Sequence, residues 1–251
     1  MKMLASDFDG TLFFKDQGIK KEDIKKIKEF QAKGHLFGMS TGRDYQGIIK
    51  ITDEYGIHLD FLVLASGSKL YDNKHQLIMN KPLDKKIITD IFKATQLPQE
   101  YMLFGEKQIY LIHPKQYVNS GKEVKDPSEI DEDNYAFLAI HFNEGEEKQA
   151  QATTDFINTH FKNQVVAYRN TINVDITRSG CSKGLGVLKM AEYLNIPKED
   201  IYVIGDSMND IPMFDITNQA YSFYNIEEEL KPHVNYFINS VAECIDHILN
   251  E

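Results

Sequence analysis

The five residues Phe61-Leu62-Val63-Leu64-Ala65 contain no polar side chain, and they follow a helix-like stretch at 45–55 that Gly56 stops. A strand with one face in water alternates apolar and polar residues, so an unbroken apolar strand needs cover on both faces, as in a doubly wound sheet. The neighbouring segments fit that demand. Residues 2–6 read as a short strand, and 20–33 carry Ile24, Ile27 and Phe30 at helical spacing before the capping Gly34. Residues 35–40 read as strand again. Strand alternating with helix implies parallel pairing.

The pattern changes after a hairpin (69–72, then 76–79) and Asn80-Lys81-Pro82. The spacing predicts a helix over 84–95, strands at 101–104 and 108–113, an acidic solvated loop at 123–133, a strand at 135–142, a helix over 146–161 and paired strands at 164–169 and 172–177. Alternation returns beyond Ser179, with a helix over 183–194, a strand at 201–205, a short helix at 209–214, strands at 220–223 and 234–238, and a helix over 241–249. The economical reading is an α/β fold: a Rossmann-like, doubly wound parallel sheet core made of residues 1–81 and 179–251, with an inserted α+β cap domain at 82–178.

Composition removes several classes of function. The chain has 251 residues, 42% hydrophobic and 26% charged, as in ordinary soluble proteins. Its longest apolar run, Tyr135 to Ile140, is far short of the roughly 20 residues a membrane helix needs. No secretory signal is visible at the N-terminus, so a cytoplasmic location and no membrane partner are expected. The formal net charge of −10 argues against nucleic acid, whose phosphates call for a basic patch. Cys181 and Cys244 are too few for a disulfide framework and lack metal-ligand spacing.

Charged and hydroxyl residues collect at the ends of predicted strands, where doubly wound folds bind ligands. Asp7-Phe8-Asp9-Gly10-Thr11 follows the first strand, Ser40-Thr41-Gly42-Arg43 the second, and Gly205-Asp206-Ser207-Met208-Asn209-Asp210 the strand at 201–205. Gly180-Cys181-Ser182-Lys183-Gly184 opens the helix after the insert. Two aspartates two apart on an extended segment repel each other unless a cation lies between them or one takes a proton. A hydroxyl and backbone N–H groups entering a helix form an anion cradle. The topology brings Asp7, Asp9, Asp206 and Asp210 together against one lysine, Lys183, so a divalent cation is expected, and oxygen-only ligands favour Mg2+ over zinc. Such a carboxylate suits phosphoryl transfer.

These four segments, in this order and with an insert between the second and third, resemble the motifs of the haloacid dehalogenase superfamily, and within it the Cof-type sugar phosphatases. The resemblance implies that Asp7 attacks phosphorus to form an aspartyl-phosphate, while Asp9 protonates the leaving alcohol and later deprotonates water. It implies Mg2+ held by the Asp7 carboxylate, the Asp9 main-chain carbonyl and Asp206, with Ser207 or Asp210 close by. Thr41, Gly42, Lys183 and Asn209 would hold the phosphoryl oxygens, with Phe8 donating its backbone N–H. The chain departs from the Cof pattern at Ala65-Ser66-Gly67-Ser68, where an asparagine-glycine pair is more usual.

The partner expected is a small phosphorylated metabolite, a sugar phosphate or a phosphorylated cofactor. Specificity is expected in the insert, with Arg169 or Asn170 reading the leaving group, and with Arg43 beside the phosphate cradle. A phosphomutase would use the same aspartates, and a non-catalytic binding module could descend from the same enzyme.

Overall fold

The computed structural model describes residues 1–115 and 121–250. The chain divides into two compact units, Met1–Met79 with Ser182–Glu251, and Asn80–Cys181. The joins fall two and three residues away from the expected 81/82 and 178/179. At the second join, Ser179 N–H still donates to Gln164 and Cys181 N–H to Arg178, which keeps the chain with the inserted unit up to Cys181.

In chain order the first unit opens with β1 (Met3–Ser6), α1 (Lys21–Ala32), β2 (Leu36–Ser40), α2 (Tyr45–Glu54), β3 (Phe61–Leu64), β4 (Lys69–Asp72) and β5 (Leu77–Asn80). The inserted unit contains β6 (Leu83–Asp84), α3 (Lys85–Thr95), β7 (Glu100–Gly105), β8 (Ile109–Ile112), β9 (Lys122–Glu123), β10 (Asn134–His141), α4 (Glu147–His160), β11 (Val165–Asn170) and β12 (Asn173–Arg178). The first unit then resumes with α5 (Lys183–Tyr193), β13 (Ile201–Ile204), α6 (Ile211–Phe214), β14 (Ala220–Phe223), β15 (Tyr236–Ile238) and α7 (Val241–Asn250).

The first unit's sheet has the order β15-β14-β13-β1-β2-β3-β4-β5. Its neighbours from β15 to β3 pair in parallel, and β4 returns antiparallel to β3. Alternate residues of β1 serve two cores. Leu4 packs with Ile27 and Phe30 of α1, Ile48 of α2 and Ile245 of α7, while Met3 and Ala5 pack with Val187 and Met190 of α5 and Phe214 of α6. Helices on both faces are what the apolar run at β3 requires. Strand order reverses at β1, with β2 on one side and β13 on the other, and such a switch point opens a crevice at the carboxyl ends of the strands.

The inserted unit's sheet runs β11-β12-β10-β7-β8-β9, with β6 beside β10. Its pairs are antiparallel apart from β8 with β9. Ile88 and Ile91 of α3 and Ala150 and Ile157 of α4 share one core with Val165, Ala167, Val174 and Ile176 on one face of that sheet. Among the described residues, no helix is long and apolar enough to cross a membrane.

The acidic stretch at 123–133 is in part the solvated loop its charge suggests, with Glu123, Glu129, Asp131 and Asp133 exposed. It holds a single helical turn at Pro127–Glu129, and Val124 and Ile130 are buried. Glu132 is buried too, because its carboxylate accepts from the Tyr110 hydroxyl at 2.5 Å and from the backbone N–H groups of Glu106 and Lys107.

Candidate active site

Two strand ends and one helix start build a polar cluster in the first unit. β1 delivers Asp7, whose N–H donates to Ile204 of β13 at 2.8 Å. β13 delivers Gly205 and Asp206, after which Ser207–Asp210 form a reciprocal capping box with one short helical turn. Ser182 caps α5 by accepting from Leu185 N–H, which sets Lys183 as the first helical residue.

Lys183 is 2% exposed, and its ammonium donates to Asp7 Oδ1 at 2.7 Å, Asp210 Oδ1 at 2.6 Å and Asn209 Oδ1 at 3.0 Å. Its three donors are thereby matched by three acceptors. Burial opposes its charge, but the Asp210 and Asp7 carboxylates outweigh burial and raise its pKa. Burial raises the Asp7 carboxyl well above its ordinary range against the pull of Lys183, and Asp210 and Asp206 add to the rise. Asp206 is pushed up to about 7, by burial first and Asp210 second, although the Thr11 hydroxyl donates to it at 2.5 Å.

Carboxylate oxygens of Asp7, Asp206 and Asp210 lie within 4.8 Å of one another, as ligands of one metal ion could. Hard anionic oxygens fit a hard divalent cation, whose charge would offset what raises Asp7 and Asp206. Asp210 is otherwise engaged, since Oδ1 meets Lys183 and Oδ2 accepts from Asp206 N–H and Ser207 N–H. Ser207 turns its hydroxyl to Asn209 at 2.7 Å. Gly10 sits against the cluster with φ of 82°, and a Cβ there would lie 2.5 Å from Asp206 Oδ2. A cavity of about 350 Å³, lined in part by Gly10, Phe14, Lys20, Asp206 and Asn225, opens beside it.

Asp9 stands outside this trio. Both its oxygens are taken by Arg43, which donates from Nε to Oδ2 at 2.7 Å and from an Nη to Oδ1 at 2.8 Å. The expected balance of four carboxylates against one lysine is thus corrected by a second cation. Thr41 is buried, its N–H donates to Val63, and its hydroxyl accepts from Arg43 N–H. The Ala65–Gly67 turn braces this loop, with Ala65 N–H on the Arg43 carbonyl and Ser66 N–H on the Thr41 carbonyl. All three turn residues have positive φ, and among the described residues the buried Ser66 hydroxyl has no hydrogen-bond partner.

In the inserted unit, Arg169 and Asn170 point to opposite faces of β11. Arg169 donates to Gln151 of α4 at 3.1 Å and to the Thr171 carbonyl at 3.2 Å, on the helix-covered face. Asn170 lies on the other face with Asp175, 3.5 Å away. Sequence reasoning gave no role to Thr11, although it stands within the first motif, and missed the pairing of Arg43 with Asp9.

A model of the haloacid dehalogenase-like hydrolases matches residues 4–249. The chain belongs to this family. Among its relatives, the 5-amino-6-(5-phospho-D-ribitylamino)uracil phosphatase YwtE of Bacillus subtilis is 24% identical, with 100% of this chain and 99% of the relative covered. Phosphatase YwpJ of the same organism is also 24% identical, over 99% and 100%. The family fold is equally plain in solved structures. A haloacid dehalogenase-like hydrolase from B. subtilis superposes with a TM-score of 0.87 at 20% identity, covering 100% of this chain and 99% of the other. The subclass IIB sugar phosphatase BT4131 does so with 0.81 at 19% identity, covering 99% of each. This hydrolase therefore keeps the family's fold along essentially its whole length.

Proposed function

We propose that the protein is a Mg2+-dependent phosphatase that hydrolyses a small organophosphate, a sugar phosphate or a phosphorylated cofactor, through an aspartyl-phosphate. The observation that carries this reading is Lys183 bridging Asp7 and Asp210 within a trio of carboxylates that includes Asp206. The names of relatives that act on phosphate monoesters support it.

In this reading an Asp7 oxygen attacks phosphorus, the bond from phosphorus to the ester oxygen breaks, and the departing alkoxide takes a proton from Asp9. Water then attacks the aspartyl-phosphate, Asp9 takes its proton, and inorganic phosphate leaves with Asp7 restored. Lys183 holds Asp7 in place and stabilises negative charge on the transferring group. Thr41, Gly42 and Asn209, with the Phe8 backbone N–H, receive the phosphoryl oxygens. Asp7, the Asp9 carbonyl and Asp206 would hold Mg2+, with Ser207 and Asp210 behind them, and the ion would supply charge neutralisation at the phosphoryl oxygens. Of the two candidates in the inserted unit, Asn170 is the one assigned to selecting the leaving group, since Arg169 is turned onto the helix-covered face; a relative kcat/KM across a panel of esters that does not respond to Asn170→Ala would remove it from that role.

The test is phosphate release from p-nitrophenyl phosphate with Mg2+ present. Turnover is expected to vanish on chelation and in Asp7→Asn; activity retained by Asp7→Asn would refute the mechanism. Isomerised sugar phosphate without free phosphate would point to a phosphomutase instead.

A further inference from the structure

All three nitrogens of the half-buried Arg43 guanidinium donate within the protein. Nε and one Nη grip the two Asp9 oxygens, and the other Nη donates to the Gly47 carbonyl at 3.2 Å. The guanidinium carbon lies 4.9 Å from the centre of the Phe8 ring and 5.6 Å from that of Phe13, and these two rings stack at 5.2 Å. Its backbone is held as well, through Thr41 and Ala65. The Asp9 side chain, in contrast, is 54% exposed, and among the described residues Arg43 alone hydrogen-bonds it.

We propose that Arg43 is a positioning residue for Asp9, fixing the plane and reach of its carboxyl so that it can exchange a proton with the leaving oxygen, and that it is not a residue that binds the substrate. The inference rests on the phosphatase reading above. A two-pronged guanidinium takes one lone pair of each carboxylate oxygen and leaves the others free to carry a proton. An exposed ion pair contributes little to stability, so fold maintenance does not account for the engagement of all three guanidinium nitrogens. Orientation does, because proton transfer depends on a group already held in reach.

The experiment compares kcat/KM of the full-length protein with Mg2+ on two esters. p-Nitrophenyl phosphate expels a stable anion that needs no proton, whereas an alkyl phosphate such as glycerol phosphate expels an alkoxide that does. Arg43→Ala is expected to lose at least about tenfold on the alkyl ester and less than about threefold on p-nitrophenyl phosphate, a share of the 10²–10⁴ typical of acid-base catalysis. Arg43→Lys, which keeps a cation but not the fork, is expected to fall between, and it carries the comparison if the alanine variant does not fold. Equal losses on the two esters, or a rise in KM alone on both, would overturn the proposal and make Arg43 a substrate-binding residue. If the unsubstituted protein releases phosphate from neither ester, the phosphatase reading itself falls, and this inference with it.

Discussion

Gly10 has little latitude, since it combines a φ of 82° with an approach to Asp206 that leaves no room for a methyl group. Gly10→Ala is expected to cost about 1–3 kcal/mol of stability, from backbone strain and displacement of Asp206, as read by urea unfolding. Loss of Lys183 acts through charge. In Lys183→Met, Asp7 and Asp210 would be left buried without their cation, at about 3–5 kcal/mol in chelated protein near pH 8. That deficit is expected to shrink at pH 5, where a carboxyl raised by burial takes a proton. A deficit independent of pH in the unfolding curves would contradict the assignment. Both residues stand in motifs that sequence reading singles out, but the pairing of Arg43 with Asp9 was not legible. An ion pair between residues 34 apart leaves no periodic trace, and the position of Arg43 after Thr41-Gly42 suggested a phosphate partner instead.

At the scale of elements, β1, β2 and β13 were readable because each is a short apolar run that ends abruptly in polar residues, and that abrupt end is what presents Asp7, Thr41 and Asp206. Within the stretch at 123–133, Glu132 misled for the converse reason. The charge count of the stretch implies water, but the Glu132 carboxylate satisfies a tyrosine hydroxyl and two backbone N–H groups inside the inserted unit. Burial alone would raise the Glu132 pKa, yet the Tyr110 hydroxyl and the Glu106 and Lys107 N–H groups outweigh it and lower it. A lowered folded-state value means that Glu132 stabilises the fold above the ordinary glutamate range and loses that contribution as pH falls through its folded value. Glu132→Ala is accordingly expected to cost about 2–3 kcal/mol at pH 7, with the difference from the unsubstituted protein narrowing in acid, as followed by circular dichroism.

For the whole molecule, the net charge of −10 is partly concentrated at the proposed phosphate site, so attraction there would have to be local. That couples stability, pH and metal. Asp206, with a folded-state value of about 7, and Asp7, raised well above the ordinary aspartate range by burial, bind protons more tightly folded than unfolded. The unfolded chain therefore holds fewer protons between the ordinary aspartate range and those values, and the stability of chelated protein falls as pH rises through that window. Mg2+ needs the ionised carboxylates, so its stabilisation is expected to be larger at pH 8 than at pH 5 in a thermal melt; an equal shift at both would place the ion elsewhere.

The central claim is that Asp7 carries the phosphoryl group. Its most direct test is borohydride trapping during turnover of a phosphate ester, followed by peptide mass spectrometry. An acyl phosphate at Asp7 is reduced to homoserine at that position alone, and the peptide should be unmodified when substrate is omitted. Sustained turnover with an unmodified position 7, or with the reduced residue elsewhere, would contradict the account.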